Sequence, residues 1–271
     1  MKNFVAELEM IACDAGRLIK EIRTNGIEVM AKGDGSPVTE ADARAEALIL
    51  ERLSQAWPDI PVVAEELVCN EGCPEGIGKR FFLVDPLDGT KEFIKGTPDY
   101  TVNIALIENG FPVAGVVMAP GRGAIYSGFQ GRAQMAKVLD AGASVERRDI
   151  CVRPRGEAWT AVVSVSHMTQ STRQFLEPLP IEDCVSVGSS LKFCLLACGE
   201  ADIYPRLGRT MQWDTAAGDA VLRAAGGSTA TRTGECLRYG PRPGHPDNRF
   251  ENPEFIAFAG TLDALKSSVF R

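Results

Sequence analysis

The chain has 271 residues, of which 45% are hydrophobic and 24% are charged, and its formal net charge at pH 7 is −7. A chain of this length and composition can bury a large apolar core, which argues against a disordered protein. The acidic balance argues against a nucleic-acid partner, because proteins that bind nucleic acids carry basic surfaces. Residues 1–23 lack the pattern of a signal peptide, and no segment approaches the roughly 18 apolar residues of a transmembrane helix, so we expect a cytoplasmic protein.

The amino-terminal half is predicted to combine two helices with an antiparallel hairpin. Helical spacing of apolar residues predicts a helix over 4–23 and a second that begins near Thr39, with Asp42 completing a capping-box pattern. Short apolar runs at 61–64 and 81–84 are typical of buried strands, and the residues between them, 67–79, are predicted to form a mobile loop. Strands over 101–107 and 111–118 flank Glu108-Asn109-Gly110, and Asn-Gly is a strong hairpin signal.

The carboxy-terminal half is predicted to be α/β, because its strands and helices alternate along the chain. The predicted elements are a strand over 161–165, a helix over 191–198, a strand over 201–204, a helix over 214–225 and a strand over 255–259. A polar stretch follows Gly142 and continues to Arg155. We therefore predict two subdomains, residues 1–145 and residues 146–271.

The eight cysteines are spread over the whole chain. Without a secretory signal, reduced thiols are expected rather than a disulfide framework. Two pairs, Cys69 with Cys73 and Cys194 with Cys198, raise the question of zinc, but only two histidines accompany them. Cys194 and Cys198 fall in an apolar helical pattern and are interpreted as small buried hydrophobic residues.

An acidic hexapeptide follows the apolar run 81–84. In Asp85-Pro86-Leu87-Asp88-Gly89-Thr90, two carboxylates lie three residues apart. Buried carboxylates need compensating cations to stay charged, and Mg²⁺ prefers oxygen ligands. Gly89 would let the backbone approach a ligand closely. The hexapeptide alone is equally compatible with an ordinary turn that carries solvated aspartates.

Two other acidic positions favour the metal interpretation. Glu65-Glu66 ends the apolar run 61–64, although such a pair by itself is more often a solvated surface feature. Asp214 stands at the start of a predicted helix in Trp213-Asp214-Thr215-Ala216-Ala217-Gly218, where the alternative role is a helix N-cap.

In their order along the chain, these three acidic motifs resemble those of the inositol monophosphatase superfamily of metal-dependent, lithium-sensitive phosphatases. The resemblance extends over about residues 6–259, and the two longer motifs are specific. It implies a layered αβαβα architecture, with an α+β half that binds metal (1–145) and an α/β half that binds substrate (146–271). The metals would lie in the crevice between the halves.

The resemblance also implies roles for individual residues. Two or three Mg²⁺ ions would be held by Glu65, Asp85, Asp88, Asp214 and the Leu87 carbonyl, and these groups, apart from Asp85, would also border the substrate. Asp42 would accept a hydrogen bond from Thr90, and the pair would orient and deprotonate the attacking water. The amides of Gly89 and Thr90 would hold the scissile phosphate. Nucleotide contacts would come from His167, Ser189, Lys192 and Arg206.

Some of these assignments have structural alternatives. Lys192 could be a lysine that packs its aliphatic stem along the predicted helix 191–198 and keeps its amine in water. A histidine at the end of a strand, such as His167, is as often structural as functional. The resemblance decides between these readings only by analogy.

Within the superfamily, the sequence is most similar to the bacterial 3′(2′),5′-bisphosphate nucleotidases. The similarity lies in Lys91-Glu92-Phe93-Ile94, in Thr101-Val102-Asn103-Ile104-Ala105-Leu106 and in Gly188-Ser189-Ser190-Leu191-Lys192-Phe193-Cys194, whereas residues 67–79 and 95–98 depart from those enzymes. It implies hydrolysis of the 3′-phosphate of adenosine 3′,5′-bisphosphate to give 5′-AMP in sulfur assimilation, with 3′-phosphoadenylyl sulfate as a second substrate.

Two other functions are considered. One is an inositol or sugar monophosphatase that uses the same metal site, and the other is a non-catalytic redox or binding protein that depends on its cysteines. The sequence leaves open whether the protein is a monomer or a homodimer. It also leaves open whether the protein lies at the surface of the inner membrane, as some relatives do.

Overall fold

The fold is seen in a computed structural model that describes residues 2–31, 35, 37–139, 144–164, 169–242 and 249–269. Within these ranges it contains eight α-helices, two large sheets and one two-stranded ribbon. The helices are α1 (Lys2–Asn25), α2 (Glu40–Ala56), α3 (Glu65–Glu71), α4 (Thr90–Lys95), α5 (Gln170–Leu176), α6 (Leu191–Ala197), α7 (Ala216–Ala224) and α8 (Leu262–Val269). Among the described residues, no helix is both long and apolar enough to cross a membrane.

The first large sheet has seven strands that follow one another in sequence order. They are β3 (Val62–Ala64), β4 (Arg80–Asp88), β5 (Thr101–Glu108), β6 (Phe111–Ala119), β7 (Ala124–Phe129), β8 (Arg132–Val138) and β9 (Ser144–Ile150). Only the β3–β4 pair is parallel. The predicted hairpin is confirmed: Asn109 (φ 53°) and Gly110 (φ 82°) adopt the left-handed conformations that a tight β5–β6 turn requires. The ribbon pairs β1 (Val29–Ala31) with β2 (Pro37–Thr39).

The second large sheet has five strands in the order β11-β10-β12-β14-β13. Its strands are β10 (Trp159–Val163), β11 (Ile181–Ser186), β12 (Ile203–Arg206), β13 (Ser228–Thr231) and β14 (Phe255–Phe258). The first three strands in that order are parallel, and β14 runs antiparallel to both β12 and β13. Parallel strands joined by helices agree with the predicted α/β character of this half.

Three buried clusters show how the layers stack. One joins α1 and α2 to one face of the seven-stranded sheet through residues such as Ile11, Ile49 and Val84. The second fills the space between the two sheets around α6 and α7, and the third packs α5 and α8 on the outer face of the five-stranded sheet. The order of layers is therefore helices, sheet, helices, sheet, helices, which confirms the predicted αβαβα architecture.

The close approach of α7 to the seven-stranded sheet depends on glycine. A Cβ atom at Gly115 would lie 2.5 Å from the carbonyl oxygen of Ala217 and 2.6 Å from the Cβ of Ala220, both in α7. Gly128 on the next strand is equally close to the backbone of α7. Because α7 begins two residues after Asp214, this contact also brings the turn that carries Asp214 close to the sheet.

We expect Gly115→Ala to lower the free energy of unfolding by about 3 kcal/mol or more, because rigid backbone atoms must move to admit the methyl group. Denaturant-induced unfolding measures the effect. The matched control is Gly156→Ala, whose Cβ would meet nothing closer than 3.6 Å and which should change stability little. Equal stability of the two variants would contradict the packing described for α7.

Two segments differ from the sequence-based predictions. The loop predicted for 67–79 begins later, because residues up to Glu71 continue α3, whose first-turn amides of Glu66 and Leu67 donate to the Glu46 carboxylate at 2.8 and 2.7 Å. The polar stretch after Gly142 contains strand β9, whose exposed, charged residues suit the edge of a sheet. The predicted division at 145/146 falls within β9, and the subdomain boundary stays a prediction.

Candidate active site

Three carboxylates that are far apart in the sequence meet at one place in the fold. Glu65 is the first residue of α3, Asp85 lies on β4, and Asp214 lies in the turn before α7. One carboxylate oxygen from each lies within 4.8 Å of the others. Asp85 is almost completely buried, and the other two are partly exposed. Among the described residues this is the only group of three such ligands, and it contains no cysteine or histidine.

Asp88 lies beside this group and is tied to it through Ser190. The Ser190 hydroxyl lies 2.6 Å from the carbonyl oxygen of Asp214 and 3.3 Å from Oδ2 of Asp88. A serine has one proton to donate, so the shorter contact to Asp214 is the stronger hydrogen bond. Ser190 therefore connects the hexapeptide turn of one sheet to the turn that precedes α7.

Asp214 does not cap a helix, as its alternative role required. The predicted helix over 214–225 begins at Ala216, with Thr215 at the N-cap position. Asp214 Oδ2 instead accepts a hydrogen bond from the Met211 amide at 2.9 Å, and this closes the turn that precedes α7. The carboxylate is thus held in a fixed position next to Glu65 and Asp85.

The carboxylates raise one another's pKa values. Burial, followed by the charges of Glu65, Asp88 and Asp214, raises the pKa of Asp85 well above its usual range. Burial and the neighbouring Asp88 and Glu65 do the same for the pKa of Asp214. Burial raises the pKa of Asp88 to about 6, although the ammonium of Lys192 works in the opposite direction. Asp88 and Asp214 are partly exposed, so solvent screens part of this repulsion.

This arrangement fits a hard divalent cation. Like charges that are packed together and partly removed from water are costly, and a cation that bridges them relieves that cost. The available donors are carboxylate oxygens, together with the carbonyl of Leu87 near the end of β4, and oxygen donors are the ligands that Mg²⁺ prefers.

The raised carboxylate pKa values predict an unusual pH dependence for the metal-free protein. The folded state holds a proton on Asp88 up to about pH 6, whereas the unfolded chain releases it near pH 4. This proton therefore stabilises the fold fully below pH 4, and the stabilisation is lost as the pH rises through about 6. Added Mg²⁺ should restore stability at pH 7 and should bind more weakly below pH 6, because protons compete for the same oxygens.

Thermal unfolding in EDTA and in Mg²⁺ between pH 4.5 and 8 measures this dependence. Asp88→Asn is the matched control, since it removes the titrating group while keeping its size. Without metal, the variant should gain stability relative to the parent as the pH rises from 4.5 to 7. A difference between the two proteins that does not change with pH would contradict the account.

The hexapeptide turn also contacts α2. The Thr90 hydroxyl lies 3.1 Å from Asp42 Oδ1 and 3.2 Å from the Leu87 carbonyl oxygen. The second oxygen of Asp42 accepts from the amide and the hydroxyl of Thr39 at 2.8 and 2.6 Å, which confirms the predicted capping box. Gly89 (φ 91°) precedes α4 in a left-handed conformation, and a Cβ there would lie 2.9 Å from the Asp99 carbonyl. The contact predicted between Asp42 and Thr90 is present, and their catalytic roles stay a prediction.

The structure describes three of the four nucleotide-contact candidates, Ser189, Lys192 and Arg206. Lys192 is buried, and its Nζ donates to the Ser189 carbonyl at 2.6 Å and lies 5.5 Å from the centre of the Tyr204 ring. Burial lowers the pKa of Lys192 to about 8, against the attraction of Asp88. Arg206 donates from one nitrogen to the Arg209 carbonyl at 2.6 Å, and its Nε is buried without a partner among the described residues. His167 lies outside the described residues.

Sequence reasoning missed two residues that organise the site. Ser190 directly follows Ser189, the predicted nucleotide contact, and both lie in the motif 188–194. Nothing in that motif indicates which of the two hydroxyls faces Asp88 and Asp214. Asp99 contacts two segments that are far apart in the sequence: the Gly188 amide donates to its carboxylate at 3.4 Å, and Arg122 pairs with it at 2.7 Å. No local sequence signal marks Asp99.

Comparison with known proteins establishes the family. The model of the "Inositol monophosphatase family" matches residues 2–259, and the chain belongs to that family. The family consists of metal-dependent phosphatases that typically use Mg²⁺.

Individual relatives are similar over nearly their whole length. The 3′(2′),5′-bisphosphate nucleotidase CysQ of Escherichia coli K12 is 42% identical over 252 residues, which cover 90% of this chain and 95% of that protein. The CysQ of Haemophilus influenzae is 31% identical and covers 94% of this chain and 92% of its own. The crystal structure of CysQ from Bacteroides thetaiotaomicron superposes with a TM-score of 0.78 at 33% identity, covering 96% of this chain and 98% of that one.

Proposed function

We propose that this chain is a Mg²⁺-dependent nucleotidase that removes the 3′-phosphate from adenosine 3′,5′-bisphosphate to give 5′-AMP. The observation that carries the proposal is the meeting of Glu65, Asp85 and Asp214 within 4.8 Å, with Asp88 beside them. The 42% identity to the E. coli enzyme, whose name describes a 3′(2′),5′-bisphosphate nucleotidase, supports the choice of substrate.

In this proposal, the four carboxylates and the Leu87 carbonyl hold two or three Mg²⁺ ions. A metal held by these groups would lower the pKa of the attacking water and would neutralise charge on the phosphate and the leaving oxygen. The protein itself has little covalent chemistry to perform, because phosphoryl transfer depends mainly on positioning and charge. The number of donor oxygens in the cluster supports more than one ion.

Asp42 and Thr90 orient the attacking water in this proposal. The Thr90 hydroxyl can donate to only one acceptor at a time, and the charged Asp42 carboxylate is a stronger acceptor than the Leu87 carbonyl. The lone pairs of Thr90 are then free to accept a hydrogen bond from the attacking water, and Thr90 would take the water's proton as its own passes to Asp42. The amides of Gly89 and Thr90 hold the scissile phosphate. The structure supports this role through the 3.1 Å contact between the two side chains.

The second phosphate of the substrate is assigned to Lys192, Arg206 and Ser189, with His167 as a further candidate. Lys192 supplies a point charge and Arg206 a planar fork, both suited to phosphate oxygens. Their support is the burial of Lys192 and the unpartnered buried Nε of Arg206. A bisphosphate therefore gains from these cations an interaction that a monophosphate lacks.

We expect Lys192→Met to lower kcat/KM for adenosine 3′,5′-bisphosphate by about 10- to 100-fold, as the loss of a charged hydrogen bond commonly does. Most of the effect should lie in KM, and hydrolysis of 3′-AMP, which lacks the 5′-phosphate, should change little. Steady-state phosphate release on both substrates measures the difference. The control is Lys266→Met on α8, where an exposed lysine is lost far from the site. An equal loss on both substrates would argue against the assignment.

The proposed function is tested by a phosphate-release panel with and without Mg²⁺. Its substrates are adenosine 3′,5′-bisphosphate, 3′-phosphoadenylyl sulfate, inositol 1-phosphate and a sugar phosphate. Release that requires Mg²⁺ and is fastest from the nucleotide bisphosphate is the expected result. Equal or faster release from inositol 1-phosphate would favour the alternative monophosphatase. No release from any substrate would favour the cysteine-based protein, whose function thiol alkylation should abolish and Asp88→Asn should leave unchanged.

The proposal extends to 3′-phosphoadenylyl sulfate, which carries the same 3′-phosphate, and to sulfur assimilation. Transfer of the sulfuryl group from that compound leaves adenosine 3′,5′-bisphosphate. An enzyme that hydrolyses this bisphosphate therefore acts on the product of sulfuryl transfer. All eight cysteines are free thiols, which supports a location of the protein in the reducing cytoplasm.

A further inference from the structure

The core of the seven-stranded sheet contains a polar side chain with no assigned task. Asn103 on β5 is completely buried, and neither its Nδ2 nor its Oδ1 has a hydrogen-bond partner among the described residues. Buried carboxamides are normally hydrogen-bonded, since an unmet donor and acceptor in the core cost free energy. An asparagine without hydrogen-bond partners in the core lowers the stability of the fold, so its presence calls for another explanation.

The register of the sheet places Asn103 beside a predicted metal ligand. Its Cα is paired with that of Asp85 on the adjacent strand β4. Directly opposite residues of an antiparallel pair project from the same face, with Cβ atoms about 4.5–5.5 Å apart. The neighbours of each residue at i±2 confirm the face: Leu83 on β4 and Ala105 on β5 both belong to the core between the sheets, where α7 packs.

The same face carries a second unmet polar atom. Thr101, two residues before Asn103, pairs with Asp88 in the register, and its buried Oγ1 also has no partner among the described residues. Unmet polar groups thus stand opposite both aspartates of the hexapeptide.

We propose that Asn103 is a positioning residue of the metal site, whose carboxamide donates a hydrogen bond to Asp85 when that carboxylate binds a cation. The inference rests on the proposed function, because it takes Asp85 as a metal ligand. Ligating carboxylates are commonly held by such outer partners, and loss of one typically costs 10- to 100-fold in metal affinity. A neutral amide suits this place, because a lysine there would compete with the cation for the same oxygens.

The proposal and a purely structural role predict different results for Asn103→Leu, which has a similar shape and no polar atoms. If Asn103 only fills space, Leu should leave Mg²⁺ binding unchanged. If it positions Asp85, the metal-free variant should melt at the same temperature as the parent or higher, because an unmet buried amide is gone. The Mg²⁺ concentration that gives half-maximal stabilisation should then rise about 10- to 100-fold.

The experiment is thermal unfolding as a function of Mg²⁺, without substrate, for the parent, Asn103→Leu, Asn103→Ser and the control Ile104→Val. Asn103→Ser retains a donor and should bind Mg²⁺ with intermediate affinity. Ile104 is buried on the opposite face, so its variant should melt lower and bind Mg²⁺ as the parent does. Unchanged Mg²⁺ affinity in Asn103→Leu would overturn the proposal. If Asn103→Leu does not fold, unchanged Mg²⁺ affinity in Asn103→Ser would also overturn the proposal.

Phosphate release by the parent separates this inference from the proposed function. A parent that hydrolyses adenosine 3′,5′-bisphosphate with Mg²⁺, together with unchanged Mg²⁺ affinity in the Asn103 variants, rejects the inference alone. A parent that binds Mg²⁺ in an Asn103-dependent manner but releases no phosphate from the panel rejects the nucleotidase assignment and supports the role of Asn103. A parent that Mg²⁺ does not stabilise rejects both.

Discussion

Asp88→Asn should reduce turnover of adenosine 3′,5′-bisphosphate by at least about 100-fold without unfolding the protein. Loss of an outer partner of a metal ligand already costs up to about 100-fold, and Asp88 is itself a proposed ligand. Asparagine keeps the size of the side chain and an oxygen for Ser190, whose hydroxyl lies 3.3 Å from Asp88. The activity loss should therefore come from weaker cation binding.

The stability of this variant is the informative control. In the metal-free protein, Asp88 raises the pKa values of Asp85 and Asp214 by repulsion, so removing its charge should leave the melting temperature unchanged or raise it at pH 7. Thermal unfolding in EDTA and steady-state kinetics over a range of Mg²⁺ give the two readouts. A variant that melts well below the parent would mean that Asp88 is structural. A variant with parental turnover would remove Asp88 from the metal site.

Thr90→Val should lower kcat by about 100- to 10,000-fold, which is the usual contribution of a positioned acid–base group. Valine has nearly the same shape as threonine and lacks only the hydroxyl that contacts Asp42 at 3.1 Å. Because the capping box of α2 uses the other oxygen of Asp42, the substitution leaves that helix intact. Mg²⁺ affinity should change little, so the loss should appear in kcat at saturating Mg²⁺.

Thr90→Ser and a double-mutant cycle complete this test. Serine retains the hydroxyl and should recover most of the activity. If Asp42 and Thr90 act as one unit, the double variant Asp42→Asn/Thr90→Val should be scarcely slower than the worse single variant. Additive losses would show that the two side chains act separately, and full activity in Thr90→Val would exclude the hydroxyl from the reaction.

Much of the fold could be predicted from local patterns. The helical spacing of residues 4–23 and the capping residues Thr39 and Asp42 lead to α1 and α2, and Asn109-Gly110 leads to the β5–β6 hairpin. Strands β7 and β8 were not predicted. Their connecting turn, Gln130-Gly131, adopts positive φ at both residues, but it is not one of the residue pairs that sequence patterns associate with hairpins.

Strand β9, at the edge of the seven-stranded sheet, shows a different limit of prediction from local sequence patterns. Strand β9 was interpreted as part of a polar boundary, because an edge strand needs no apolar alternation and can carry exposed charges. Helix α3 was predicted as a loop, since its stability depends on the distant Glu46 carboxylate at its first turn. Both features arise from tertiary contacts that a local pattern cannot contain.

The acidic residues of the site each stand where a predicted element begins or ends, but that position alone is also compatible with a turn, a surface pair or a helix cap. What the sequence could not supply was the side-chain direction in the loops between these elements. Ser189 and Ser190 are adjacent, and in the structure Ser189 is in a left-handed conformation (φ 51°) while the Ser190 hydroxyl donates to the Asp214 carbonyl. The bridge from Asp99 to the Gly188 amide likewise joins residues 89 positions apart. Resemblance to a family predicts which residues are metal ligands, and the fold was needed to find what holds them.

We propose that Glu65, Asp85, Asp88 and Asp214 together bind divalent cations. The most direct measurement is anomalous X-ray scattering from crystals grown with Mn²⁺, which scatters strongly and takes the same oxygen ligands as Mg²⁺. We expect an anomalous peak bounded by these carboxylates, and weaker or absent density in Asp88→Asn crystals. A crystal saturated with Mn²⁺ that shows no peak there, with the four side chains directed apart, would contradict it.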